Sequence, residues 1–480
     1  MSKSIKKNFV YNMFLNVSKV FFPLITAPYV SRVLEPDGVG LFNFANTYAN
    51  WFALFAALGI PYYGIREIAK IGNDTKKQTK FVSEIISISV ISTIFCTILM
   101  LLSLLFVPQL NDNYVVFLVA AIVLYFTPLR IEWFFSGKEE FGYIAFRSIL
   151  IKALSIIFLF VIVRTKDDLI KYVTLFAVSV VANDIWNYIK LYKYGIHPCF
   201  TFDFMHHIKP LLLLFSSSIA LYIYTALDTL MLGFMADYSE VGYYNCATHI
   251  SKAMVPIVTS LAAVALPRIA QYKDEGRWVE MNALLNKSLS IAGFLSFPIS
   301  FGIISVAPVF VPLFFGEQYY GSILPLQIIV ITVIAIGYSN ITGIQILLGL
   351  GLDKLFLYSI LAGTLASFTS NLILIPRYGA VGASLSSVCA ETVVLLSMFY
   401  YIIKHTRIRF NRKKEILSNM IIASVFFIIS GIVFKYVEGW IGVVICIMLC
   451  TIFYIFLQHL CRNSAEKEMI DIMKNKIKQL

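Results

Sequence analysis

Charge is scarce in this chain. Only 14% of its 480 residues are Asp, Glu, Lys or Arg, against 59% that are hydrophobic. Long polar segments are missing as well. The longest connections between apolar runs, 193–209 and 404–415, are short and basic, so no soluble domain has room to fold. Catalytic signatures are also missing. There is no Gly-rich nucleotide-phosphate loop, no pair of carboxylates in a loop and no nucleophile–His arrangement. A polysaccharide polymerase, ligase or acyltransferase is disfavoured, because such enzymes need a large outward loop with catalytic Arg, His or Asp and the outward loops here are short and chemically poor.

What is present is hydrophobic sequence in long runs. About fourteen stretches of roughly 20 residues cover the chain, a length that spans a bilayer as helix. They read as 9–31, 38–64, 81–107, 114–135, 144–163, 169–192, 210–233, 240–267, 285–311, 322–349, 355–375, 379–403, 416–434 and 440–460. A soluble protein of this size cannot bury so much continuous apolar sequence. The runs lack the alternation of barrel strands, and a span in lipid must satisfy its own backbone hydrogen bonds. The expected fold class is an all-α polytopic membrane protein with about 14 transmembrane helices.

Lysine and arginine orient it. With Lys3, Lys6 and Lys7 inside, the even-numbered connections are cytoplasmic and carry about 30 basic residues, against about 6 outside. The outward loops near 108–113, 234–240 and 312–321 contain no Lys or Arg. Both termini are expected in the cytoplasm. The first stretch lacks a small-residue cleavage site and reads as an uncleaved anchor. The net charge of +12 then reflects topology and attraction to anionic lipid, with no need for nucleic acid. The seven cysteines lie in spans or on the inner side, so no disulfide framework is expected. Cys199 with His206 and His207 is the cluster closest to a metal site. Its spacing matches no standard zinc pattern, so no metal and no cofactor are expected.

The halves echo each other. Val39-Gly40-Leu41-Phe42-Asn43 corresponds to Val241-Gly242-Tyr243-Tyr244-Asn245, and the same offset carries Arg66 onto Arg268, each followed by an Ile-Ala pair, Ile68-Ala69 and Ile269-Ala270. Further on, Arg147-Ser148-Ile149-Leu150 matches Tyr358-Ser359-Ile360-Leu361. The unit is about six spans, repeated in parallel orientation. It predicts a lobe over 1–192, a cytoplasmic linker over 193–209, a second lobe over 210–403, two further spans over 404–461 and a tail over 462–480. Met469, Met473, Ile477 and Leu480 give that tail one apolar helical face, suited to lying on the inner surface. Pro23, Pro28, Pro61, Pro128, Pro256 and Pro298 fall where bent spans would help two lobes rock.

Ionisable residues inside spans cost roughly 2.5–3.5 kcal/mol each on insertion scales and need a partner or a wet cavity. The basic ones are Lys19, Lys152 and Lys252, with Arg66, Arg130, Arg147 and Arg268 near inner ends. They either line a cavity that attracts a phosphate or pyrophosphate, or neutralise buried acids and snorkel. His249 shares a helix face with Lys252. The deep acids are Asp184, Asp228 and Glu391, each a candidate for H⁺ or Na⁺ coupling or for pairing with a lysine. Trp51, Tyr224 and Tyr243 are candidates for stacking on sugar faces, alongside an ordinary role as interface anchors.

Several local motifs resemble one family. They are Arg32-Val33-Leu34-Glu35-Pro36-Asp37-Gly38-Val39-Gly40, Trp133-Phe134-Phe135-Ser136-Gly137-Lys138-Glu139, Asp228-Thr229-Leu230-Met231-Leu232-Gly233 and Pro376-Arg377-Tyr378-Gly379-Ala380-Val381-Gly382-Ala383. In this order and at this length the chain resembles the polysaccharide transporter branch of the multidrug/oligosaccharidyl-lipid/polysaccharide exporter superfamily, the Wzx-type flippases of O-antigen and capsule repeat units. The resemblance implies two six-helix lobes in a V around a central cavity in the bacterial cytoplasmic membrane. It implies an undecaprenyl-pyrophosphate-linked oligosaccharide as cargo, moved by alternating access. It also implies cavity cations on the pyrophosphate, with Lys19 and Lys252 in matching spans and Lys152, Arg66 and Arg268 as further candidates. Polysaccharide polymerase machinery is a candidate partner. A cation-coupled multidrug exporter and a lipid II flippase are the alternatives within the superfamily. The energy source is expected to be an ion gradient or the membrane potential.

Overall fold

The computed structural model describes residues 5–260, 262–406, 408–410 and 413–461. The tail expected to form an amphipathic surface helix, 462–480, lies outside the described residues. Within them the chain is built from helices and turns. Eight helices are long and apolar enough to cross a membrane, among them Thr75–Phe106, Phe141–Ile162 and Gly439–Leu460. Large apolar side chains such as Phe106, Leu105, Ile441 and Ile452 stand exposed on them, as lipid-facing positions must. This is a multi-pass helical membrane protein.

The contacts divide the chain into two compact units, residues 1–234 and 235–480. The repeat in the sequence groups residues by similarity and contact groups them by packing, so the two criteria need not share a boundary.

The first unit contains α1 (Ile5–Ala57), α2 (Ile60–Ile71), α3 (Thr75–Phe106), α4 (Pro108–Asn111), α5 (Tyr114–Ala120), α6 (Ile122–Tyr125), α7 (Glu132–Gly137), α8 (Phe141–Ile162), α9 (Leu169–Lys193) and α10 (Met205–Met235). α1 packs on α3 and α8, and α8 on α9. Two apolar stretches share α1, which breaks where Glu35 takes φ 58° and ψ 174° immediately before Pro36. The second stretch ends at Ala57, earlier than its hydropathy suggested, and the amphipathic α2 follows as a separate helix. Pro61 therefore sits in the first turn of α2, where its missing N–H costs nothing, and does not kink a span. Pro128 likewise lies in a short 3₁₀ turn, Thr127–Leu129. Pro23, Pro28, Pro256 and Pro298 are inside helices as expected.

α2 docks tightly on α7. A Cβ on Gly64 would fall 2.3 Å from the Trp133 ring, so only glycine allows this approach. Around that contact Ile60, Ile68, Phe81, Ile85, Phe134 and Leu211 form one apolar cluster. It anchors α2, the start of α3 and the start of α10 to each other.

The second unit contains α11 (Tyr238–Thr259), α12 (Ala262–Asp274), α13 (Trp278–Phe315), α14 (Ile323–Ile329), α15 (Thr332–Asn340), a π-helical segment (Ile341–Leu348), α16 (Asp353–His405), α17 (Lys413–Ser424), α18 (Phe426–Tyr436) and α19 (Gly439–Leu460). α11 followed by α12 repeats the pattern of the second half of α1 followed by α2, in the register that carries Arg66 onto Arg268. α16 holds two apolar stretches and breaks at Gly379, whose φ of 53° and ψ of −125° suit glycine alone. Gly363 lies so close to Val394 that a Cβ would come within 2.2 Å of its methyl group. The two halves of α16 therefore lie side by side. The Glu240 carboxylate accepts the N–H of Ala380 at 2.6 Å and holds the turn to α11.

Candidate functional site

In the first unit Lys19 lies in α1, one turn before Pro23, and its side chain is outside the described residues. Lys152 of α8 places its ammonium 5.7 Å from the centre of the Phe22 ring, a cation–π distance. Phe22 is three residues after Lys19, so Lys152 contacts the turn of α1 on which Lys19 lies. Arg66 is on α2 rather than at the end of a span. It is half exposed, pairs with Glu67 at 3.1 Å and lies 5.5 Å over the Tyr63 ring.

The aromatic candidates separate by environment. Trp51 of α1 meets Tyr222 of α10 edge to face, with ring centres 5.1 Å apart. Its indole N–H is buried and has no hydrogen-bond acceptor among the described residues. Tyr224 and Asp228 are half-buried one turn apart on α10, and both are engaged by neighbours. Tyr48 is part of the packing, surrounded by Phe44, Phe52, Phe117 and Phe234, with its hydroxyl donating to Ser103 Oγ at 2.6 Å.

Asp184 is buried on α9, where Arg130 lies 3.6 Å away. Its cationic neighbour is thus an arginine rather than any of the deep lysines. Beside it stands a group whose importance hydropathy did not reveal. Arg147 is fully buried, with its guanidinium bonded to Glu132, to Asn187 and, at 3.0 Å, to Asn183 Oδ1. The signal was the Asn183-Asp184…Asn187 spacing on one face of α9, which presents three polar groups to whatever packs there.

A second polar group, of which the sequence pointed only to His206 and His207, lies where α2, α3 and α10 meet. His207, at the start of α10, is buried between the Tyr63 hydroxyl (2.7 Å from Nδ1) and the Glu84 carboxylate (2.9 Å from Nε2). Burial pushes the His207 imidazole below its ordinary value, against the opposing pull of the Glu84 hydrogen bond. The sequence had suggested Cys199 as the neighbour of His206 and His207. In the structure Glu84 holds that place, and its carboxylate converges with both imidazoles.

In the second unit Lys252 and His249 are exposed one turn apart on α11. Arg268 is exposed on α12, and Glu391 is half-buried on α16. Tyr243 packs on Tyr319 with ring centres 6.2 Å apart, in a space kept open by Gly321. Tyr244 is buried, its hydroxyl 3.0 Å from Ser387 Oγ.

The family described as "Polysaccharide biosynthesis protein" matches residues 5–273. The chain is 24% identical over 416 residues to a putative O-antigen transporter of Escherichia coli (strain K12), covering 83% of this chain and 97% of the relative. Among solved structures it is similar to the lipid II flippase MurJ in an inward closed conformation. That likeness has a TM-score of 0.64 and 16% identity, over 92% of this chain and 98% of the other. An inward-facing multidrug resistance MATE family transporter gives a TM-score of 0.60 at 14% identity, over 80% and 93% of the two chains. At these identities the structural likeness concerns the fold.

Proposed function

This chain belongs to the polysaccharide biosynthesis protein family, and from that membership we propose that it moves a lipid-linked oligosaccharide across the membrane. The cargo is an undecaprenyl-pyrophosphate-linked repeat unit of O-antigen, capsule or a similar surface polysaccharide. It passes from the inner to the outer leaflet of the bacterial cytoplasmic membrane by alternating access, with both termini of the chain in the cytoplasm. The chain makes and breaks no bond in this cargo. A polymerase that consumes the translocated unit is the partner the chemistry calls for.

One observation carries the reading: Lys152 lies against Phe22, one helical turn from Lys19. Two lysines at neighbouring positions within apolar spans offer positive charge to an anion in a place where charge is otherwise scarce. A pyrophosphate is such an anion, and it cannot enter hydrocarbon unpaired. Lys252 supplies a cation to the second unit, with His249 beside it. Arg66 and Arg268, at equivalent places on α2 and α12 toward the inner side, would attract the headgroup before passage. The unpaired Trp51 indole N–H suits a sugar hydroxyl, and the Trp51 and Tyr224 rings and that of Tyr243 suit sugar faces. Asp228, Glu391 and Asp184 are the proposed H⁺ or Na⁺ sites, since no nucleotide-binding motif offers another energy source.

Depletion of the protein in its host tests this. Mass spectrometry of lipid-linked repeat units, with an impermeant probe to assign the leaflet, should show complete units accumulating on the cytoplasmic side while surface polymer falls. Unchanged lipid-linked units would refute the reading.

A further inference from the structure

We propose that Glu84, His206 and His207 bind one divalent transition-metal ion where α2, α3 and α10 meet, with zinc best suited to the donor set. Glu84 Oε2 lies 2.9 Å from His207 Nε2 and 3.7 Å from His206 Nε2, and the three donor groups converge within 4.8 Å. Zinc bound tetrahedrally at about 2.0–2.1 Å from each ligand holds its ligand atoms about 3.3 Å apart. The two Glu84 separations straddle that value, and the third, between the imidazoles, is within 4.8 Å, so closure rests on the exposed His206 ring turning inward.

The surroundings are those of a built site. When His207 gives Nε2 to a metal, its proton resides on Nδ1, and the Tyr63 hydroxyl 2.7 Å away accepts it. That contact fixes the tautomer and ring orientation, the usual second-shell role. Phe81 and Tyr63 pack edge-on against the imidazole with ring centres 5.4 and 5.5 Å away. Glu84 is only 3% exposed, yet its Oε1 has no hydrogen-bond donor. A buried carboxylate with one oxygen unsatisfied is poorly accounted for by the His207 hydrogen bond alone. Lys80 is the nearest cation to that oxygen, at 3.7 Å, and it also lies 3.5 Å from Asp203, so it keeps a partner when a metal takes Glu84. The His206 side chain is 56% exposed, which opens the fourth position to water. Two imidazoles and one carboxylate form a zinc donor set of the kind that leaves one coordination position open.

The experiment uses untagged full-length protein in detergent micelles, stripped with a chelator and titrated with Co²⁺. The expected result is one equivalent bound, with the strong visible absorption of four-coordinate cobalt, bleached by Zn²⁺. His206→Ala removes an exposed ligand without touching the core, and Glu84→Gln keeps the shape of its side chain. Each should abolish the absorption, and Tyr63→Phe should weaken binding about 10- to 100-fold. No four-coordinate spectrum in the wild-type protein, or a spectrum unchanged in His206→Ala and Glu84→Gln, would overturn the assignment. The readout is independent of transport, so it stands or falls apart from the flippase reading.

Discussion

Arg147 shows what a single buried charge demands of its surroundings. Its side chain is fully enclosed, and Glu132, Asn183 and Asn187 supply the acceptors that make this tolerable. Replacement by Met would fill much of the volume but strand the polar groups of α9 around an apolar side chain. Glu132 is partly exposed and can turn to water, but leaving the buried amide acceptors unsatisfied costs about 1–3 kcal/mol. Arg147→Met is therefore expected to lower the thermal unfolding midpoint of the purified protein clearly. An unchanged midpoint would mean that the cluster contributes little. The same logic applies with opposite sign at Trp51. Its unpaired N–H is a local deficit of about 1–3 kcal/mol, which a hydroxyl-rich ligand can remove.

Elements in this protein begin and end at positions of unusual backbone. Glu35 joins the two halves of α1 with φ 58° and ψ 174°, a region that is nearly glycine-only and costs a non-glycine residue about 1–3 kcal/mol. It also precedes a proline, which narrows its choices further. Glu35→Gly should raise the unfolding midpoint, a gain of about 1 kcal/mol after glycine's own entropy is subtracted. A fall would show that the Glu35 side chain holds the turn more firmly than the backbone strains it. The turn between α8 and α9 depends instead on charge. Asp168 accepts the backbone N–H groups of Arg164 and Thr165 and pairs with Lys171 at 2.5 Å. The hydrogen bond from Lys171, then those from Arg164 and Thr165, hold its carboxyl well below the usual carboxylate range. A depressed folded-state value means that the stabilisation is complete above the unfolded value of about 3.9 and is lost as pH falls toward the lower folded one. Amide exchange at Arg164 and Thr165 should therefore stay slow down to about pH 4 and lose protection only below it. Loss of protection already near neutrality would contradict this account.

For the whole molecule, the test is whether the lysines within apolar spans serve transport or packing. Lys19→Ala and Lys152→Ala each remove a charge that the proposal assigns to the pyrophosphate. A hydrogen bond to a charged group is worth about 1.5–3 kcal/mol, or roughly ten- to a hundredfold in rate or affinity. Each variant should restore surface polymer to a depleted host at about a tenth of the wild-type rate or less, at normal abundance in the membrane. Lys→Arg at either place should recover part of the activity, because the charge is kept. Full complementation by both alanine variants would assign the lysines to packing.

Hydropathy alone determined the solvent and the helical class, because lipid forces every backbone group of a span into its own helix. The repeat was also legible, since α2 and α12 follow their spans in the register of Arg66 and Arg268. Breaks inside apolar sequence were not. Hydropathy runs unbroken from Ala57 to Ile60; the signal that the helix ends there is Gly59, with φ 76°, followed by Pro61 in the first turn of α2. Partners were the least legible. An apolar helix containing Asp184, Arg147 or Glu84 announces that a polar group must be satisfied but not by what. Residues 36 apart in the chain satisfy Arg147, and residues 123 apart join Glu84 to His207. Such pairs exist only once helices are docked, because side chains that distant in sequence meet through tertiary packing and through no local periodicity.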